Sequence, residues 1–325
     1  MHSSISSSEP PRRLAPTVAD PRLRRAITAV LVSAVVVLLG AELLSRYAFP
    51  RISQIEGRIN NDEREALAIR TPALGSPPVA LLVGNSLLLR GLDYPKIRTE
   101  MAPEARVVRF VIENTEYLDW YYGLHQMFAS GVRPSMVVVC LNLGQTVSSR
   151  TLGDYSARHL FGVSELLPVG HEAGMNATQI SGLVFAHWSA FYASRATIRN
   201  FIFNKADPPY AAALHELADT AVRPLPMDDV LIVEARARLN ALRQLCRQNG
   251  AEFVLLIPPS LGRHNDLLAM AARLQQVNFD YPLAFGAVGP EYFRADGVHL
   301  NAQGAVLFTD ALARCLRARV EKQTR

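Results

Sequence analysis

The stretch VALLVGNSLLLRG, residues 79–91, decides how this chain is read. Val79 to Val83 is an unbroken apolar run, not an alternating one, and so suits a central strand of a sheet covered by helices on both faces. Gly84, Asn85 and Ser86 follow, small and polar, before the apolar pattern resumes. A hydroxyl at the mouth of a core strand either caps the next helix or acts as a nucleophile. The rest of the chain has to separate the two.

Further strands read the same way: VVRFVI at 107–112, MVVVCLN at 136–142 and AEFVLLIPPS at 251–260. Helical patterns lie between and after them, near Tyr94–Met101, Tyr117–Ser130, Asp228–Asn249 and Asn301–Arg319. Apolar strands alternating with helices predict an α/β fold with a parallel sheet and helices on both faces. Residues 144–226 break the rhythm. They hold His159, His171, His187, Trp188 and Tyr192 without a strong strand signal. We read them as a helical insertion over the carboxyl ends of the strands, where open α/β sheets bind ligands. Trp188 and Tyr192, four apart, suit core packing of an insertion helix first and a sugar-stacking face second. Tyr117, Trp120, Tyr121 and Tyr122 follow the second strand near the expected mouth, which makes Trp120 and Tyr121 candidates to line a substrate cleft.

The chain has 325 residues, 49% hydrophobic and 19% charged, and much of the apolar excess lies near its start. AITAVLVSAVVVLLGAELL, residues 26–44, is nearly all apolar; at 1.5 Å per residue it reaches roughly 28 Å, against a bilayer core of about 30 Å. A cleaved signal peptide has a shorter apolar run and a small-x-small site. None follows Gly40, so an uncleaved anchor is favoured. Arg12, Arg13, Arg22, Arg24 and Arg25 precede the span and place the amino terminus in the cytoplasm. The expected layout is a disordered tail (1–25), a transmembrane helix (26–44), a juxtamembrane linker (45–78) that over 51–78 reads as a helix and then a Pro-rich stretch, and an extracytoplasmic domain (79–325). That domain is periplasmic, on a single-pass inner-membrane protein, if the source is Gram-negative. Glu42 reads as a carboxylate at the outer headgroups, or as a contact to another membrane protein.

The net charge is +5, of which residues 1–25 supply +3, from five Arg against Glu9 and Asp20. The remainder is near neutral and shows no basic stripe, so nucleic acid is not an expected partner. Cys140, Cys246 and Cys315 are odd in number and fit no metal spacing; buried free thiols are expected. His125 and His159 likewise lack partners at ligand spacing. No metal and no cofactor is expected.

The chemistry is suggested near the other end, in YFRADGVHLNAQGAVLF, residues 292–308. Asp296 and His299 are three apart in a glycine-containing loop before a helix that Asn301 is suited to cap. A serine nucleophile needs a base, and the base needs an acid to hold its tautomer. Gly84-Asn85-Ser86-Leu87 followed by Asp296-Gly297-Val298-His299-Leu300-Asn301 resembles the SGNH, or GDSL-like, hydrolase superfamily over roughly residues 79–318, the insertion aside. That resemblance implies Ser86 as nucleophile, His299 as base and Asp296 as its orienting acid. It also implies a flavodoxin-like three-layer α/β/α sandwich. The family's oxyanion hole uses the serine N–H, a second-block glycine and a third-block asparagine. Here Asn114 or Thr115 falls near the glycine. The third-block Gly-x-Asn-Asp is absent, with Gly144 at the asparagine register and Asn142 two residues early. The candidate donors are therefore Ser86, Asn114, Asn142 and Gly144.

One amino-terminal anchor with degenerate middle blocks resembles a branch of that superfamily whose members move or remove acetyl groups on cell-surface and secreted polysaccharides. Some of these partner a multispanning membrane acyltransferase. The resemblance implies an exported serine-dependent O-acyltransferase or esterase, with a carbohydrate or acyl-ester substrate. The competing expectation is a catalytically weak domain that binds polysaccharide or scaffolds a membrane complex.

Overall fold

Continuous apolar runs become strands here because both faces of each are buried: Leu81, Leu82 and Val83 have no exposed surface at all. The structure is a computed structural model describing residues 21–73, 75–102, 104–206 and 228–323. Most of the expected tail (1–20) and the end of the expected insertion (207–226) lie outside the described residues. In chain order the elements are α1 (Pro21–Leu43), α2 (Gln54–Leu67), β1 (Val79–Gly84), α3 (Ser86–Gly91), α4 (Tyr94–Met101), β2 (Arg106–Val111), α5 (Tyr117–Ala129) and β3 (Met136–Cys140). There follow α6 (Leu143–Val147), α7 (Asp154–His159), α8 (Leu166–Glu172), α9 (Ala177–Trp188) and α10 (Ala190–Ala206). The chain then continues through α11 (Asp228–Gln248), β4 (Glu252–Leu256), α12 (His264–Leu274), β5 (Phe279–Asp280) and α13 (Ala302–Gln323).

The five strands form one parallel sheet in the order β2-β1-β3-β4-β5, the doubly wound order of flavodoxin-like sheets. The chain leaves β1 outward to β2 and returns to β3 on the other side. A crevice therefore opens at the carboxyl end of β1, where Gly84 pairs with Val111 on one side and Cys140 on the other. On one face of the sheet, Leu81, Val83, Phe110 and Val139 pack with α5, α11 and α12. On the other, Leu82, Val138, Val254 and Leu256 pack with α4 and α13. β5 escaped the sequence reading because two residues carry no period; Arg319 of α13 holds it by two hydrogen bonds to Asp280, of 2.9 and 2.7 Å.

The 45–78 stretch, expected as a juxtamembrane helix and linker, forms the helix α2, which packs on the sheet domain. Ile59 and Ala66 of α2 are buried. Arg109 of β2 donates to both oxygens of Asp62 at 3.1 and 3.2 Å, and Arg58 donates to the Val111 carbonyl at 2.7 Å. α2 thus covers the sheet's β2 edge, which would otherwise be open to strand pairing.

α1 buries none of its residues. It is long and apolar enough to cross a membrane, a property signal sequences share, and it continues through a π-helical turn (Leu44–Ala48) and the turn Phe49–Ile52. Glu42 has partners within the chain itself. Its carboxylate accepts from Ser189 Oγ (2.8 Å), Ala190 N (2.9 Å) and Phe191 N (3.0 Å) at the start of α10. Arg46 pairs with Glu42 at 2.5 Å and donates to the Trp188 carbonyl at 2.6 Å.

Candidate active site

Gly84 ends β1 where there is no room for a side chain: a Cβ would stand 2.9 Å from the Cys140 carbonyl oxygen. The next residue settles the question raised by the hydroxyl. Asn85, fully buried, caps α3 by accepting from Leu87 N at 3.0 Å. Its Nδ2 donates to the Thr115 carbonyl at 2.9 Å. Thr115 is locked in turn, donating to the Ile112 carbonyl (2.7 Å) and accepting from the Trp120 indole (2.9 Å). The cap is Asn85, and the Ser86 hydroxyl is left for other work.

Ser86 Oγ lies 2.9 Å from His299 Nε2, and His299 Nδ1 lies 2.8 Å from Asp296 Oδ2. A carboxylate at Nδ1 assigns the proton there, so Nε2 is the acceptor for the serine hydroxyl. The other Asp296 oxygen accepts from the backbone N–H of Val298 and of His299, both at 2.9 Å. Gly297 between them has φ +64°, which only a residue without Cβ adopts at no cost. Partial burial pushes the Asp296 carboxyl up, but the hydrogen bonds from His299 and Val298 outweigh it and bring it down to about 2. It is therefore ionised throughout the neutral range, as an orienting acid must be.

The 290–301 segment is itself braced. Phe293 and Leu300 form an antiparallel bridge, and Arg294 N donates to the His299 carbonyl at 2.7 Å. Asn301 accepts from Gly304 N at 3.0 Å, its N–H donates to the Tyr292 carbonyl at 2.9 Å and its Nδ2 to the Glu291 carbonyl at 2.6 Å. Gly304 approaches so closely that a Cβ would sit 2.4 Å from the Tyr292 oxygen.

The remaining candidates fall into two groups. Asn114 and Asn142 lie on the two loops flanking Ser86, after β2 and β3. Asn114 is exposed with φ +61°, the left-handed conformation that glycine takes freely and asparagine tolerates best. Asn142 caps α6, its Oδ1 accepting from Gln145 N at 2.8 Å, which leaves Nδ2 as its donor. In the same first turn Leu143 N donates to Asn265; among the described residues no partner is recorded for the Gly144 N–H. Trp120, by contrast, is fully buried and edge-on to Phe110 at 5.6 Å, so it is a core residue and lines no cleft. Tyr121 is partly buried, stacked on Tyr117 at 5.7 Å. Trp188 is 65% exposed, against the expectation of core packing. His125, His159 and His187 bond to Glu165, Glu63 and the Ala157 carbonyl. Among the described residues no group of three metal-ligating side chains converges.

Sequence reasoning missed the Asn85–Thr115–Trp120 brace and Asp119. Asp119 is buried and accepts from Glu116 N (2.8 Å), Thr151 Oγ1 (2.5 Å) and Leu152 N (3.0 Å), which ties the insertion to α5. Burial pushes its carboxyl up to about 6. Only the residues' capping habits hint at such bonds. A separate cleft of about 440 Å³, lined by Thr71, Arg133, Ser135 and Glu252, opens at the amino-terminal end of the strands, away from Ser86.

No protein-family profile matches the chain, and no curated protein matches it. Among solved structures 29 chains match. One of them, from Streptococcus pneumonia and described as the structure of a "putative platelet activating factor", is 13% identical. The match covers 90% of this chain and 99% of that one, with a TM-score of 0.36. A likeness that loose assigns neither family nor activity.

Proposed function

We propose that this protein is a serine-dependent ester hydrolase or O-acyltransferase of the SGNH type. The observation that carries the reading is the unbroken hydrogen-bond chain from Ser86 through His299 to Asp296 at the carboxyl end of β1. Ser86 Oγ attacks an ester carbonyl while His299 Nε2 takes its proton, and Asp296 stabilises the imidazolium that forms. The Ser86 N–H and Asn142 Nδ2 receive the developing oxyanion from the two sides of the crevice. Collapse expels the alkoxide, which takes the proton from His299 and leaves an acyl-serine. Water, or a sugar hydroxyl deprotonated by His299, then attacks that acyl group and regenerates Ser86.

The sequence resemblance supports acetyl esters of a cell-surface or secreted polysaccharide as substrate and a multispanning membrane acyltransferase as partner. α1 is read as a retained anchor with its amino terminus in the cytoplasm and the sheet domain exported. The bonds from Glu42 and Arg46 to the folded domain support retention, since cleavage beyond Arg46 would strip them away.

The test uses the full chain in nanodiscs with a chromogenic acetyl ester, with and without an oligosaccharide acceptor. Ser86→Ala and His299→Ala are expected to lower kcat by at least about 10³-fold at unchanged thermal stability. Acetylated oligosaccharide then assigns transfer, and its absence assigns hydrolysis. A folded wild type without serine-dependent turnover overturns the enzyme reading in favour of polysaccharide binding or scaffolding.

A further inference from the structure

We infer that the α9–α10 elbow is a second membrane attachment, seating its exposed apolar side chains in the outer lipid interface beside the anchor. The inference rests on α1 being a retained membrane span, and it is independent of the esterase reading. Three observations on different residues meet at this point.

The first is depth. An apolar run from Ala26 to Leu44 that fills a bilayer core puts Glu42 within one helical turn of the outer hydrocarbon boundary. Glu42 accepts from Ala190 N and Phe191 N, and Arg46 donates to the Trp188 carbonyl. The backbone of residues 188–191 is therefore held at that boundary.

The second is direction. α10 starts at Glu42, and farther along it Phe201 meets Phe49 edge-on at 5.7 Å. Both chains advance together, so α10 leads away from the lipid and the elbow is its membrane-proximal tip.

The third is the gradient of surface chemistry along α9. Its outer half exposes Thr178, Gln179 and Ser181. Its last turns expose Val184 at 41%, Phe185 at 65% and Trp188 at 65%, and Phe191 follows at 37%. An exposed tryptophan among apolar side chains at the height where a span leaves the hydrocarbon matches the aromatic belt of membrane proteins. Lipid acyl chains and headgroups are the occupant that reaches this height whenever the anchor is inserted.

The chain carries two tryptophans, and the other, Trp120, is fully buried. The emission difference between wild type and Trp188→Phe therefore reports Trp188 alone. The full chain is reconstituted in phosphatidylcholine vesicles, either plain or with acyl chains brominated near the carboxyl end or near the methyl end. The expected result is loss of the Trp188 emission with shallow bromines, a smaller loss with deep bromines and protection from aqueous acrylamide. Emission insensitive to either bromine position and fully quenched by acrylamide overturns the inference and leaves the elbow open to a protein partner. Release of the chain from the vesicles by alkaline carbonate overturns it together with the anchor reading. Retention without quenching overturns the elbow alone.

Discussion

The Asn142 amide lets two roles be separated. Its Oδ1 caps α6, while Nδ2 is the donor proposed for the oxyanion. Aspartate keeps a capping oxygen and loses the N–H donor. Asn142→Asp is therefore expected to melt like wild type yet lose about 10²–10³ in kcat, with KM little changed. Asn142→Ala loses both functions. An Asp variant with wild-type kcat would show that Asn142 is a cap only and that the oxyanion is met by backbone N–H groups such as that of Gly144. At this scale the sequence is legible for the meeting of Ser86, Asp296 and His299, because a nucleophile–base–acid set demands fixed residue types. It is silent on Asn85, one of whose two bonds reaches Thr115, 30 residues on. It misleads on Trp120, because an aromatic residue beside a predicted mouth and one beneath it look alike in a string of letters.

The histidine loop and helix α13 function as one element. Gly304 lets the first turn of the helix press against the Tyr292 carbonyl, at the start of the loop that carries Asp296 and His299. A methyl group at Gly304 must push the helix from the loop, because the atom it meets is backbone. Gly304→Ala is expected to lower kcat by about 10²-fold, the scale of a 1 Å misplacement of a catalytic group. The loss should appear as a His299–Ser86 separation beyond hydrogen-bond reach in a crystal structure, with the protein still folded. Unchanged turnover would mean that the loop holds its shape without the helix. Strands β1 to β4 are readable from their apolar runs, and the longer helices from their period. β5 is not, and neither is the role of α2: its amphipathic pattern shows a buried face but not the sheet edge that it covers.

Across the whole molecule, α1 and the sheet domain are joined by more than the peptide chain. The N–H groups opening α10, together with the Ser189 hydroxyl, find their acceptor on Glu42, some 148 residues earlier. Sequence shows the carboxylate in an apolar run but gives no sign of its partner, since the pairing exists only once the insertion has folded back on the anchor. Removing an acceptor at a helix start costs about 1–2 kcal/mol, and because the site is peripheral the cost falls on local opening, not on the sheet. Glu42→Ala is thus expected to speed hydrogen exchange of the first amides of α10 by roughly tenfold in nanodiscs, a factor that 1.4 kcal/mol supplies. Exchange in β1 and β3 should stay as in wild type, because their protection comes from the two cores on either face of the sheet. Faster exchange throughout the domain would instead make the anchor contact part of the global fold. No change at α10 would show that Ser189, whose Oγ accepts from Tyr192 N at 3.1 Å, caps the helix unaided.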